Sequence, residues 1–252
     1  MAMNKNSNAY QIIYAAVMVL IVGTVLAFIY MALKPKQDDN VANDKRKQIL
    51  SAVHITAPSD NDIEATFKKY IVAGYLLNED GSVADSTQDV AFNVDMKNNI
   101  KLEKRDLPLF KCKLDDGSVK YIVPVYGAGL WGPIWGYIAV NDNGTDIYGA
   151  YFSHEGETPG LGAEISTPQF QDQFNGKKLI KDGDFKPVSV LKKGKPAENG
   201  EDHVDAITGG TMTSEGVKKM LADCLMHYET FFKNLQSGTN LMCGTDLECE
   251  TN

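Results

Sequence analysis

A basic surplus, paired histidines, repeats and nucleotide-binding fingerprints are what this 252-residue sequence lacks. Lys and Arg number 25 against 33 Asp and Glu, a formal charge of −8, which argues against a nucleic-acid partner held on a broad basic surface. The four histidines, His54, His154, His203 and His227, show no paired ligand spacing, so no metal site is expected. There is no P-loop, nicotinamide fingerprint or Ser-His-Asp grouping, so neither direct NADH binding nor a complete catalytic centre is expected in this chain. Cysteine is scarce as well. Cys112 falls in a strand pattern and Cys224 on an apolar helix face, and both read as buried thiols. Cys243 and Cys249 stand six apart in a polar tail. They could pair in an oxidising compartment, and a two-cysteine metal knuckle lacks its other half.

Charge is also missing from Ile12 to Leu33, a run of 22 residues. At about 1.5 Å per residue a helix of that length crosses a hydrocarbon core of roughly 30 Å. Tyr10, Tyr14 and Tyr30 lie near its ends, as interfacial aromatics do. The run is longer than a signal-peptide core and lacks a small-x-small cleavage site before Lys34, which favours a retained anchor over a removed leader. Lys34, Lys36, Lys45, Arg46 and Lys47 follow it and only Lys5 precedes it, so the positive-inside rule read literally keeps the large domain in the cytoplasm.

Beyond a polar juxtamembrane linker from Lys36 to Asp44, apolar spacing predicts helices over 45–55 and 62–76. Ile49, Leu50 and Val53 form the first stripe, and Ile63, Phe67, Tyr70 and Ile71 the second, with Asp60 or Asn61 as its cap. From Val90 the period becomes two. Strands over 109–114 and 119–125 flank Asp115-Asp116-Gly117-Ser118, and strands over 133–140 and 146–152 flank Asn141 to Thr145, two hairpin signatures. A strand or turn at 204–207 precedes the strongest soluble helix signal. From Val217 the residues Met220, Leu221, Cys224, Leu225, Tyr228, Phe231, Phe232 and Leu235 keep one face, with Thr213 or Ser214 as N-cap. Strands buried by flanking helices make the class α+β, with one N-terminal transmembrane helix and an extramembrane domain of antiparallel sheet.

Three glycine-containing loops stand out. Thr208-Gly209-Gly210-Thr211-Met212-Thr213-Ser214 opens the last helix; it reads either as a plain capping loop or as an anion site of amides and hydroxyls at a helix start. Gly127 to Pro133 contains Gly129, Leu130 and Trp131, an indole placed either to stack on a planar ligand or to pack into the core. Gly156-Glu157-Thr158-Pro159-Gly160-Leu161-Gly162 holds a Pro-Gly pair that predicts a type II turn with positive φ at Gly160.

The wording of these loops resembles a family. Asp205-Ala206-Ile207-Thr208-Gly209-Gly210-Thr211-Met212-Thr213 is similar to the flavinylation pattern of an acidic residue, two residues, then Ser/Thr-Gly-Ala-Thr-x-Thr. Gly210 stands where that pattern usually has alanine, and a smaller residue should not block attachment. With Gly129-Leu130-Trp131, the 156–162 loop and the N-terminal span, the chain resembles the C subunits of sodium-translocating NADH:quinone oxidoreductases. The resemblance implies FMN joined by a phosphoester to Thr213, with Thr208, Gly209, Gly210 and Thr211 around the phosphate and Gly129, Leu130, Trp131, Glu157, Thr158, Gly160 and Leu161 around the ring. It further implies a flavin transferase that uses FAD, partnership with other subunits of the complex, and contact with membrane lipid. The layout so implied is a cytoplasmic segment 1–9, a single-pass helix 10–34 in a bacterial inner membrane, a linker 35–44, a periplasmic FMN domain 45–236 and a tail 237–252. That side opposes the literal charge rule, and long domains can cross despite flanking charge. A flavin subunit of the related ferredoxin:NAD-oxidising pump shares the anchor and threonine motif, and a non-redox anchored protein binding a phosphate ligand is the rival from another class.

Overall fold

The computed structural model describes residues 8–87 and 89–238. The chain divides into two units, Met1–Lys45 and Arg46–Asn252. The tail cysteines Cys243 and Cys249 lie outside the described residues.

In the first unit the apolar run is helical, as its length predicts, and its large side chains such as Leu20 and Phe28 are exposed along the whole stretch. It is one helix long and apolar enough to cross a membrane. The helix, α1, runs over Asn8–Ser51, so the segment read as a linker after Pro35 is helical too, and the helix ends four residues before Ile55. Pro35 removes one ladder hydrogen bond but does not end the helix.

In the second unit, Ile49 and Leu50 on the last turns of α1 are buried. A 3₁₀ turn at Asp60–Asp62 leads into α2 (Ile63–Tyr70). Neither Asp60 nor Asn61 caps α2. Asp62 stands at that position without a side-chain bond to the helix, and accepts instead from Ser59 Oγ at 2.7 Å. The predicted helix over 62–76 stops halfway, and β1 (Ile71–Leu77) takes over. Ile71, Val72 and Tyr75 are β-branched or aromatic, and β1 pairs antiparallel with a later strand, which outweighs the local helical spacing.

The next elements are β2 (Val83–Asp85), the short α3 (Met96–Asn99), β3 (Leu107–Lys113), β4 (Val119–Ala128), β5 (Pro133–Asn141) and β6 (Ile147–His154). They form one antiparallel sheet in the order β2-β1-β3-β4-β5-β6. Both hairpins close where turn chemistry placed them, with Gly117 at φ 82° and Gly144 at φ 67°. A long excursion follows: α4 (Pro168–Gln171), β7 (Ile180–Lys181), β8 (Asp184–Phe185), β9 (Ser189–Leu191) and β10 (His203–Asp205), the last two pairing in parallel.

The predicted C-terminal helix is two, α5 (Thr211–Met226) and α6 (Glu229–Gln236). The break coincides with buried Tyr228, whose hydroxyl donates to Pro108 O at 2.9 Å. One face of the sheet, through Leu109, Val123, Ile138 and Phe152, packs in a single core with Val217, Leu221, Leu225 and Phe232 of α5 and α6. The other, through Phe110, Ile122, Tyr137 and Ala139, packs with Ile49, Leu50 and Phe67 of α1 and α2. Burial on both faces explains why β4 and β5 read as nearly continuous apolar runs. Cys112 and Cys224 are buried free thiols, and burial pushes both up to about 11, away from thiolate chemistry.

Candidate functional site

Sheet register brings the three loops to one place. The hairpin connection between β4 and β5 carries Gly129, Leu130 and Trp131, the loop after β6 carries residues 156–162, and α5 begins against both. The join is a carboxylate. Glu157, 5% exposed, accepts from Trp131 N–H through Oε1 at 2.8 Å and from Thr213 Oγ1 through Oε2 at 2.5 Å. Its own N–H donates to His154 Nδ1 at 3.2 Å. The approach is so close that side chains are excluded. A Cβ on Gly129 would lie 2.9 Å from Ile134 Cγ2 and on top of Glu157 Oε1, and one on Gly162 would fall 3.1 Å from Thr213 Cβ.

The start of α5 differs from the capping expected of Thr213 or Ser214. The helix begins one turn earlier, with Gly210 as N-cap at φ −101° and no capping side chain. Both hydroxyls are engaged elsewhere, Thr213 with Glu157 and Ser214 as acceptor from Ile207 N–H at 3.0 Å. The ladder starts at Ser214 N–H to Gly210 O, 2.9 Å, which leaves the amides of Thr211, Met212 and Thr213 at the positive end of a 16-residue helix. That is a fit for a phosphate.

Around this point the surface is apolar. Leu130, Trp131 and Leu161 are 51%, 68% and 42% exposed, and Met212 is 62% exposed. Exposed apolar side chains on two joined loops and on the first turn of α5 offer contacts suited to a planar ring. Met212 was missed by sequence reasoning, since it fills the variable position between two threonines. Its signal is an apolar residue in a loop of otherwise small and polar ones. Gly160 adopts the predicted positive φ, 76°, and Thr158 O accepts from Leu161 and Ala163 N–H, so those two shape the turn. Thr208, Gly209 and Thr211 are exposed, whereas Thr213 is 1% exposed. A Cβ on Gly209 would lie 2.6 Å from Leu161 Cδ2, which ties the two loops together. Thr208 and Gly160 both border a cleft of about 680 Å³ whose wall includes Lys193, Glu164 and Asp205.

Chemically the site offers an apolar shelf, a helix start and one buried hydroxyl on a carboxylate. No group of three or more His, Cys, Asp or Glu is placed to hold a metal among the described residues. Comparisons with known proteins agree on this region. Residues 129–226 match the FMN-binding domain, a span that holds Gly129, Leu130 and Trp131 of the first loop and all of the other two. The C subunit of the Na(+)-translocating NADH-quinone reductase of Neisseria meningitidis serogroup B is 32% identical over 87% of this chain and 90% of its own length. The crystal structure of the Parabacteroides distasonis C subunit is 44% identical, with a TM-score of 0.73 over 79% of this chain and 96% of that one. NqrC of Shewanella oneidensis is 29% identical, with a TM-score of 0.63 over 78% and 98%. With identity above 30% over most of both chains and the same fold in the solved relatives, the chain belongs to the family of C subunits of the Na(+)-translocating NADH-quinone reductase.

Proposed function

We propose that this chain is the FMN-carrying electron-transfer subunit of a membrane complex that oxidises NADH, reduces quinone and moves sodium ions, with FMN held by a phosphoester to Thr213. The observation that carries the reading is the meeting of an apolar shelf with a helix start. Leu130, Trp131 and Leu161 are exposed on the two loops joined to the start of α5, whose first turn bears Met212 and Thr213. Bound there, the flavin supplies the electron chemistry. The chain's own residues hold and orient it. Trp131, Leu161 and Met212 cover the ring and exclude water from it, and the amides of Thr211 to Thr213 receive the phosphate. The exposure of the shelf leaves a face open to neighbouring subunits of the complex.

Attachment is the work of a separate transferase that takes the flavin from FAD, and the domain lies on the periplasmic side of an inner membrane, with α1 in contact with lipid. The resemblance of the loops to the family implies the first two points, and the 22-residue uncharged run supports the anchor. The test is flavin fluorescence of the protein band in a denaturing gel after co-expression with the transferase. Wild type should fluoresce and Thr213→Val should be dark while remaining folded. A fluorescent Thr213→Val band would overturn the attachment site.

A further inference from the structure

We propose that the tail beyond α6 docks on this protein's own sheet, residues 247–251 adding as a short antiparallel strand to the bare edge of β1. β2 pairs with β1 only at Leu76 and Leu77, through Asp85 and Val83. Past Asp85 the chain turns off that edge, with Asp85 Oδ1 accepting from Thr87 N–H at 2.7 Å. It then crosses a face of β1 instead, since a Cβ on Gly74 would lie 3.2 Å from Ala91 Cβ. Among the described residues, 71–75 of β1 therefore have β3 on one side and no strand on the other. A cleft of about 620 Å³ lies there and is lined by all five of them. Consecutive side chains of a strand point to opposite faces, so a cleft that touches all five runs along the backbone edge. What it presents is a row of outward amides and carbonyls, the groups through which a further strand adds.

Position, reach and pattern select the tail as occupant. α6 packs on the turn that follows β1, where Asn234 Nδ2 donates to Asp80 O at 3.5 Å. The chain thus leaves the domain beside the end of β1, and running back along the edge makes it antiparallel, as the strand pairs of this sheet are. From Asp80 back to Tyr75 is roughly 17 Å of extended chain, and residues 239–246 can span about 27 Å. Leu247-Glu248-Cys249-Glu250-Thr251 alternates apolar or β-branched residues with acids, the period of a strand with one wet face, and 239–252 holds no proline. One wall of the cleft is aromatic, with Phe67, Phe92 and Phe110, and suits Leu247 and Cys249. The charges around it balance, Arg46 and Lys68 against Glu64 and Asp89, so two acids on the outer face meet no net repulsion. An edge closed in this way is withheld from pairing with a second copy.

The experiment is amide hydrogen exchange of the full chain in detergent, wild type against Leu247→Pro/Cys249→Pro. The prolines remove strand donors and replace no residue of the folded domain. Those amides of residues 72–75 that face away from β3 should exchange at least about tenfold faster in the double variant, with Tm unchanged. Equal rates overturn the proposal. So does faster exchange spread over the whole sheet, which marks lost stability instead of a lost strand. Protection that rises with protein concentration overturns it in favour of a second copy. Protection that appears only in the assembled complex and survives the prolines overturns it in favour of a neighbouring subunit's strand. As a second readout, Val72→Cys in a thiol–disulfide buffer should form a bond within one chain to Cys243 or Cys249. The control is Leu102→Cys, at a position about as exposed, 54% against 51%, but outside the cleft. Mass mapping without reduction should find the tail bond in several-fold higher yield from Val72→Cys, and equal yields overturn the docking.

Discussion

Replacing Gly162 by alanine should drive a methyl group into the contact between Thr213 and Glu157. Gly162 is buried at the first position of a 3₁₀ turn spanning Gly162–Ser166. Its new Cβ would lie 3.1 Å from Thr213 Cβ and would overlap both Thr213 Oγ1 and Glu157 Oε2. Thr213 Cβ is fixed to a helix backbone, so it cannot swing aside as the end of a long side chain would. Overpacking costs about 1–3 kcal/mol, and loss of the charged Thr213–Glu157 hydrogen bond costs about 1.5–3 kcal/mol. The lower entropy of the unfolded alanine chain returns about 0.4–1 kcal/mol, which leaves a net destabilisation of roughly 2–5 kcal/mol. For a chain of this size that is a fall in Tm of roughly 5–20 °C. The control is Gly160→Ala, two residues away. Gly160 has φ 76° and open space around its missing Cβ, so only the backbone penalty of about 1–2 kcal/mol applies. Thermal melts of the unloaded full chain in detergent separate the two, and flavin attachment should fail in Gly162→Ala and persist in Gly160→Ala. If Gly162→Ala melts no lower than Gly160→Ala and loads flavin normally, the interlocking of the two loops at Thr213 is refuted.

Two further outcomes are expected. Burial opposes ionisation of Asp202, but hydrogen bonds from Lys181 Nζ and Lys178 N–H outweigh it and hold the carboxyl below its usual range. A lowered folded pKa stabilises above the unfolded value, about 3.9, and the gain is lost as pH falls through the folded one. Asp202→Asn should therefore lower Tm at neutral pH by a margin that shrinks below about pH 4, and a penalty that persists in acid would show that charge is not its cause. Alkaline phosphatase fused after Asn252 should be active in cells if the domain is periplasmic; an inactive fusion, with a cytoplasmic reporter active at the same place, means the positive-inside reading of Lys34, Lys36 and Lys45 was right.

What could be read from the sequence was whatever is decided locally. Asp115 to Ser118 and Asn141 to Thr145 specify their turns through a glycine at positive φ, and the hairpins follow. Residues 71–77 could not be read this way. Ile63, Phe67, Tyr70 and Ile71 keep helical spacing, and the pairing of β1 with β3, 30 or more residues on, makes the second half a strand. The same limit misplaced the cap of α5. Thr213 and Ser214 are good cap residues by type, but Glu157 and Ile207 claim their hydroxyls. For the site, composition marks three glycine-containing loops, and family wording ties them together. The Glu157–Thr213 bond spans 56 residues and has no local signature at all.

That bond also shapes how attachment must proceed. On the proposed chemistry the nucleophile is the least accessible of the three threonines, at 1% exposure, while the shelf beside it lies open. A transferase therefore cannot deliver phosphorus to Thr213 without first displacing something. Residues 158–161 are exposed, whereas Gly162 and the α5 core behind Val217 are buried. If Thr213 carries the flavin, that exposed turn is the part with least packing to lose, and its displacement would be the least costly way to reach the hydroxyl.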